Sequence, residues 1–496
     1  MRQRVTYITK STEDLNPDEL NIDAAGTLTG PLISAVREDR LTFALNELPL
    51  DLQKILSESH EVHVRWASPT ASETVSPLLS RLPPGLHVFY TPRDASAAES
   101  QSLCLALRSL FGDLNCHTPK HSFTSLEQGR FSHAASSQYF QQLDSLAYLS
   151  EHLKTILCLP GDDECISELA RLDNAASLDI SYDTISHALK FTVVSPYTTQ
   201  PIHVASAPGR RTEVGILMED QPPNLEPYEI GISGLLAVLG QDFKLSPTMF
   251  SFPSRHRGAA GTYDINLLEP TGLHPTVQIT FDSTRPLEDS SCSPHAYFTL
   301  PRYIFPDKYQ LSDDLFLASK NLTALRYVSQ PVDLEAPEYV MDLWGSAMLL
   351  ELSPQSGKAA QSFTAEVPLH LRYLSPAAGG YSNRSIPYPA VFWACHAEEG
   401  TKFPTNPFER VNLGYDGLFG PRTVFYHVSP APGTEKLQST ITIPVLDTNK
   451  SSWVNAGTSA AILLGFAWVL WKLFISYTQQ TRPATKAKVT EDKKKR

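Results

Sequence analysis

The 496-residue chain is short of charge: Asp, Glu, Lys and Arg make up 19% of it, below the roughly 25% of an average soluble domain. What charge there is leans acidic, at −12 net. That excludes a general nucleic-acid binder, because such proteins need a basic surface to displace counterions from phosphates. Six cysteines are too few for a disulfide-built scaffold. The 25 glycines and 38 prolines are too few and too scattered for collagen or for a wholly disordered chain. No Gly-rich phosphate loop, H-E-x-x-H, C-x-x-C or G-x-S-x-G occurs, so the common catalytic and metal signatures are missing. The first ten residues, Met1 to Lys10, carry basic charge without the apolar run of roughly 7–15 residues that a signal peptide needs. No cleavable signal peptide is visible.

What is present is uneven along the chain. From Lys472 onward eight basic residues face only Glu491 and Asp492, so an acidic body precedes a basic tail. Between them Ser451 to Trp471 is a run of 21 residues without a charge, which as a helix is about 31 Å long, the thickness of a bilayer core. A helix buried in a large soluble core has a similar composition. Trp453 at one end and Trp471 with Tyr477 at the other, however, sit where aromatic rings favour the headgroup level. The reading is one transmembrane helix at 454–476 in a lipid bilayer, a short stalk at 447–453 and a basic tail at 477–496. The positive-inside rule puts the tail in the cytosol and the N-terminal bulk across the membrane.

In the body, period-2 patterns outnumber helical ones. Phe363 to Tyr373 alternates apolar and polar residues, the mark of a half-buried strand, and Pro368 predicts that this strand is an edge or bulged. Further strands are expected around 277–281, 347–352, 423–428 and 441–445, separated by Pro- and Gly-rich turns. The expected fold is mostly β: a β-sandwich-like domain at 224–446, preceded by an α+β or mostly-β domain at 1–223. In that first domain strands are expected at 5–8, 60–66, 86–90, 189–194 and 213–217. Helices are expected at 96–111, capped by Asp94 and stopped by Gly112, and at 139–157.

Candidate chemistry is sparse. Cys116-His-Thr-Pro-Lys-His121 could offer thiolate and imidazole to a metal, but with the second half of a four-ligand set missing it reads as an ordinary loop. The acidic doublets Asp162-Asp163 and Asp313-Asp314 read as a cation-held nucleotide-sugar site or as turn residues. Sequons stand at Asn321, Asn383 and Asn449, each a glycan acceptor if lumenal and exposed. Cys292 and Cys395 are each other's only candidates within the C-terminal half, as a disulfide or as two buried thiols. Gly457, Ala461 and Gly465 recur every four residues and give the apolar helix one smooth face for another helix. The chain ends Lys493-Lys494-Lys495-Arg496, either a lipid-attracted tail or a terminal dilysine address read by a receptor. No catalytic or metal-binding set and no cofactor is indicated.

One ordered set of segments goes further. It runs from Cys292-Ser-Pro-His-Ala-Tyr297 to Leu311, then Leu369-His-Leu-Arg-Tyr-Leu-Ser-Pro376 and Gly379-Gly-Tyr381. Pro389-Ala-Val-Phe-Trp-Ala-Cys395, Asn406-Pro-Phe408 and Leu413-Gly-Tyr-Asp-Gly-Leu-Phe419 complete it. Over roughly 225–446, with a single span after it, this resembles the PIG-X family, and the long acidic N-terminal half resembles its fungal members. The resemblance implies a lumenal, glycosylated, single-pass protein of the endoplasmic reticulum. Such a protein is the non-catalytic subunit that stabilises the multi-spanning catalytic subunit of GPI mannosyltransferase I, which adds the first mannose to the GPI-anchor precursor. A broader lumenal folding factor for several clients is the alternative. The motif aromatics read as core that also presents an edge to a partner.

Overall fold

The computed structural model describes the chain except residues 11–15, 127–134, 208, 270–271, 288–290, 330–332, 354–361, 405, 412 and 481–496. Strands dominate, as expected, and each region read as a strand contains one, most of them with extended ends. The strand read over 363–373 instead breaks at Leu369 into Phe363–Pro368 and His370–Leu371, and that read over 441–445 is Gln438–Pro444. Two compact units are formed, one of residues 1–374 with 383–441 and one of 375–382 with 442–496.

The first unit is built on two large sheets. The larger has twelve strands. Its outer part, Ser246–Pro253, Glu229–Val238 and Arg211–Asp220, leads to Arg2–Thr9 and the long strands Thr27–Ala44 and Ala188–Ala205. Ser177–Asp183, Ser59–Ala67, Gly85–Pro92, Ser137–Gln141 and Thr124–Ser125 follow, while Asn21–Ile22 pairs with Thr27–Ala44 off this path. Arg2–Thr9 runs parallel to Arg211–Asp220, which in turn pairs antiparallel with Glu229–Val238. The expected division at 223/224 therefore falls between two hydrogen-bonded neighbours of one sheet.

The second sheet has eight strands, in the order Leu322–Val328, Gly345–Leu352, Cys292–Pro301, Ala390–His396, Thr423–Pro430, His256–Leu268, Thr276–Asp282 and Phe363–Pro368. Phe363–Pro368 is an edge strand, where a proline costs no ladder bond. Its burial alternates, whereas Cys292–Pro301 and Ala390–His396 are buried almost throughout. The central strands are covered on both faces, so even the polar His295 and Thr299 of Cys292–Pro301 are buried.

The two sheets share one core. Phe89 and Phe140 of the large sheet meet Tyr297, Trp344, Ala347, Phe392, Tyr415 and Phe425 in a single cluster, with the Phe140 and Trp344 rings edge to face at 5.5 Å. Alternate residues, Val391 and Trp393, point to the far side, where Trp393 packs on Phe281 at 5.5 Å. The helices Ser102–Phe111 and Ala147–Leu157 add Leu107, Phe111 and Leu149 to the same cluster. The sandwich forms between the N-terminal and C-terminal halves.

Two helix expectations need correction. Residues 96–111 form two helices, Ala95–Glu99 and Ser102–Phe111, because Ser100 turns extended and its hydroxyl oxygen accepts the Ser102 N–H at 3.2 Å. A serine offers the backbone this alternative to a helical bond. Asp94 and Gly112 cap as read. Of residues 139–157 only Ala147–Leu157 is helical. Tyr139 lies in the strand Ser137–Gln141, paired with Gly85–Pro92, and Tyr139 and Phe140 are both buried, one on each face. A local 3.6-residue stripe yields to the β preference of paired aromatics.

Candidate partner interface

Residues of several motif segments, Tyr297, Phe392, Leu413 and Tyr415 among them, lie in the seam between the sheets. Tyr297, Phe392 and Tyr415 are fully buried, with Phe392 stacked on Tyr415 at 4.7 Å and Tyr297 at 5.3 Å from the same ring. The Tyr297 hydroxyl donates to Gln138 Oε1 at 3.2 Å and the Tyr415 hydroxyl to the Arg81 carbonyl at 2.9 Å. Both partners come from the N-terminal half. Gly414 has φ +86°, and a Cβ there would lie 2.4 Å from the Tyr297 hydroxyl, so the Leu-Gly-Tyr-Asp-Gly segment needs glycine at that position. Asp416 Oδ1 accepts the Leu413 N–H at 2.8 Å, and Asn406 Oδ1 accepts the N–H groups of Phe408 and Glu409 at 3.0 and 2.8 Å. These turns deliver buried Phe408 to Phe252, with the Arg4 guanidinium 5.5 Å from its ring.

Beside this seam lies a charge cluster the sequence did not announce. Glu38 is fully buried and accepts ion pairs from Arg4 at 3.0 Å, Arg40 at 3.1 Å and Arg410 at 3.3 Å. Arg410 also approaches Asp179 at 3.6 Å, itself paired with buried Arg65 at 3.0 Å. Burial alone would raise the Glu38 carboxyl, but the charges of Arg40, Arg410 and Arg4 outweigh it and hold the group below the usual carboxylate range. Burial pulls Arg40 down to about 10, which leaves it charged at neutral pH. Arg65, Asp179, Arg410, Tyr263 and Tyr388 line a cavity of roughly 160 Å³.

The histidines of the seam are neutral packing groups. His256 Nδ1 and His427 Nε2 lie 2.9 Å apart in a stacked pair; burial, then mutual and arginine repulsion, holds His256 well below its ordinary value. His427 is pulled down by burial to about 3 and His295 to about 4. The acidic doublets are helix caps: Asp162 accepts the Cys165 N–H, and Asp313 the Phe316 N–H. Cys116 is bonded to Cys104, and Thr118 caps the short helix after it. Among the described residues no group of three or more His, Cys, Asp or Glu is placed to hold a metal.

The remaining candidates lie apart. Cys292 and Cys395 are directly opposed across neighbouring strands and joined by a disulfide; a third links Cys158 to Cys165. Asn321 is half-buried at φ +54°, its amide donating to the Thr364 carbonyl at 2.6 Å, whereas Asn383 and Asn449 are exposed. Exposed motif aromatics are few, among them Tyr309, Tyr373 and Tyr381.

In the second unit the Gly379-Gly380 turn grips the segment before the helix. Ala377 N–H donates to the Leu446 carbonyl at 3.1 Å and Val445 N–H to the Gly380 carbonyl at 2.9 Å, while Asp447 Oδ1 accepts the Gly379 N–H at 3.3 Å. The helix Ser451–Gln480 that follows is exposed nearly throughout, and Thr448–Thr478 is long and apolar enough to cross a membrane. Gly457, Ala461 and Gly465 fall on one line of it, and a Cβ at either glycine would meet nothing within 4 Å. Lys493 and Lys494 lie outside the described residues.

A mostly-β globular unit carrying one exposed apolar helix at its C-terminal end is the class of protein these features define. The family model described as PIG-X / PBN1 matches residues 270–474. The chain is 56% identical to Protein pbn1 of Neurospora crassa and 44% identical to Protein PBN1 of Gibberella zeae, in each case over the full length of both chains. It is also 44% identical to Protein pbn1 of Emericella nidulans, over 95% of each. The chain belongs to the PIG-X/PBN1 family.

The Glu38 cluster sets an acid limit. A carboxyl with a depressed folded-state pKa contributes stability above its unfolded value, about 4.3, and loses it as pH falls through the folded value. Glu38→Gln is expected to cost about 3–5 kcal/mol at pH 7 by leaving the arginines without their buried partner. Melting of the detergent-solubilised variant and wild type from pH 7 to pH 3 checks it: the gap between them narrows only below about pH 4.3.

Proposed function

We propose that this chain is a non-catalytic subunit of the endoplasmic-reticulum membrane that stabilises the multi-spanning catalytic subunit of GPI mannosyltransferase I. It would serve in that way the addition of the first mannose to the GPI-anchor precursor. Membership of the PIG-X/PBN1 family across the whole chain carries the reading. Two features support it. The motif aromatics Tyr297, Phe392 and Tyr415 are buried between the sheets, where they serve as core. The single apolar helix offers an open small-residue face, along which another helix can approach closely.

The topology that goes with this reading has a lumenal body, one crossing at 454–476 and a cytosolic tail. Three disulfides suit an oxidising lumen, and Asn383 is an exposed sequon there that, unlike Asn449, does not fall in the stalk directly before the apolar helix. Gentle solubilisation, purification and mass spectrometry test the function: one stoichiometric multi-spanning mannosyltransferase is expected. Many substoichiometric clients would instead indicate the broader folding factor.

Replacing Gly457 and Gly465 by leucine closes the smooth face. Recovery of the mannosyltransferase is expected to fall about tenfold, the equivalent of 1.4 kcal/mol; full recovery would remove the helix from the interface. Retention by Lys493 and Lys494 demands a terminal position. Three alanines added after Arg496 leave every charge in place, so Golgi-type processing of the Asn383 glycan is expected in the extended protein. Its absence would exclude the dilysine address as the retaining element.

A further inference from the structure

The hairpin of helices Ala147–Leu157 and Asp163–Ala170 ends in an apolar tip with no role in the core. Ile156, Leu157, Leu159 and Ile166 are 63%, 62%, 74% and 39% exposed. Single exposed apolar side chains are ordinary, but four within the eleven residues 156–166 at the end of one hairpin mark an interaction surface. The inner face of the same hairpin is packed: Leu149 is buried and Leu153 and Leu169 lean on the shared core. The outward residues are therefore surplus to folding.

The tip is also held in shape. Cys158 and Cys165 are bonded across the turn, and Asp162 caps the second helix by accepting the Cys165 N–H at 3.0 Å. Both devices reduce the ordering cost of binding. Charge decides what kind of surface fits. Asp162 closes the turn and Asp163 opens the second helix, and between Lys154, which is paired with Glu151 and Asp173, and Arg171 the sequence has no lysine or arginine. A membrane-surface element carries basic residues beside its apolar face, because headgroups are anionic. Two such tips would repel each other. An apolar pocket rimmed by lysine or arginine on another protein satisfies both parts.

We propose that residues 156–166 dock into a basic-rimmed apolar pocket on a lumenal loop of the mannosyltransferase subunit, a second contact made by the N-terminal half. It lies outside residues 270–474, which the family model matches. The inference rests on the reading that this chain holds a partner polypeptide.

The full chain, purified with its partner from gently solubilised membranes, tests it. Combining Leu157→Ser with Leu159→Ser is expected to lower partner recovery about tenfold with the melting temperature unchanged, since both side chains are exposed. Asp163→Lys is expected to lower recovery as well, and to abolish the loss seen when the wild-type complex is washed in high salt. A photo-reactive amino acid at Leu159 is expected to label the mannosyltransferase. Full recovery with both variants overturns the proposal, as does labelling of lipid alone or of a second copy of this chain. A wild-type chain that brings down no multi-spanning partner overturns the functional reading beneath it.

Discussion

The fold depends on burying one face of a twelve-stranded sheet that neither half of the chain can cover alone. Phe89 and Phe140 from the first half need Trp344, Phe392 and Tyr415 from the second, and aromatic packing of this kind dominates core energetics. The hydrogen bonds across the seam follow from it. The Trp344 indole donates to the Gln138 carbonyl at 2.8 Å, and Tyr297 to the Gln138 side chain, so the polar atoms that the aromatics bring inside are satisfied. The buried Glu38 with its arginines sits at the same junction and adds a geometric demand: Arg410 must come from the far half while Arg4 and Arg40 come from the near one.

This arrangement agrees with the reading of the motif aromatics as core: Tyr297, Phe392 and Tyr415 lie inside. The motif glycines and turn-forming polar residues, Gly414, Asp416 and Asn406, place aromatics in the seam. The Gly379-Gly380 turn separately fixes the segment that leads into the apolar helix. The open face of that helix and the apolar tip of the hairpin are among the exposed apolar surfaces of the described residues.

Several strands with one dry and one wet face were legible, Phe363–Pro368 among them, though His256–Leu268 and Leu322–Val328 were not, and the apolar helix was legible by its length. The 18-residue strand Thr27–Ala44 was not. Its Arg37-Glu-Asp-Arg40 run has the composition of a solvated turn, yet Arg37 and Glu38 are buried, because their partners come from distant segments that a local reading cannot supply. The same blindness hid the two-half sandwich: pairing of residues 211–220 with 229–238 crosses a Pro-rich stretch that looks like a linker. Cys292 and Cys395 were recognisable as mutual candidates only because no other cysteine stands in that half; their opposition across two strands is a property of the register.

The dependence of each half on the other is tested most directly by expressing residues 1–223 alone. Without Glu229–Val238 and Ser246–Pro253 the large sheet ends at an open strand, and without the second sheet Phe89 and Phe140 face water. The account predicts no cooperative thermal transition and no fixed aromatic near-ultraviolet signal from this fragment, with both restored when residues 224–446 are supplied in trans. A sharp, cooperative transition of the isolated fragment would contradict it.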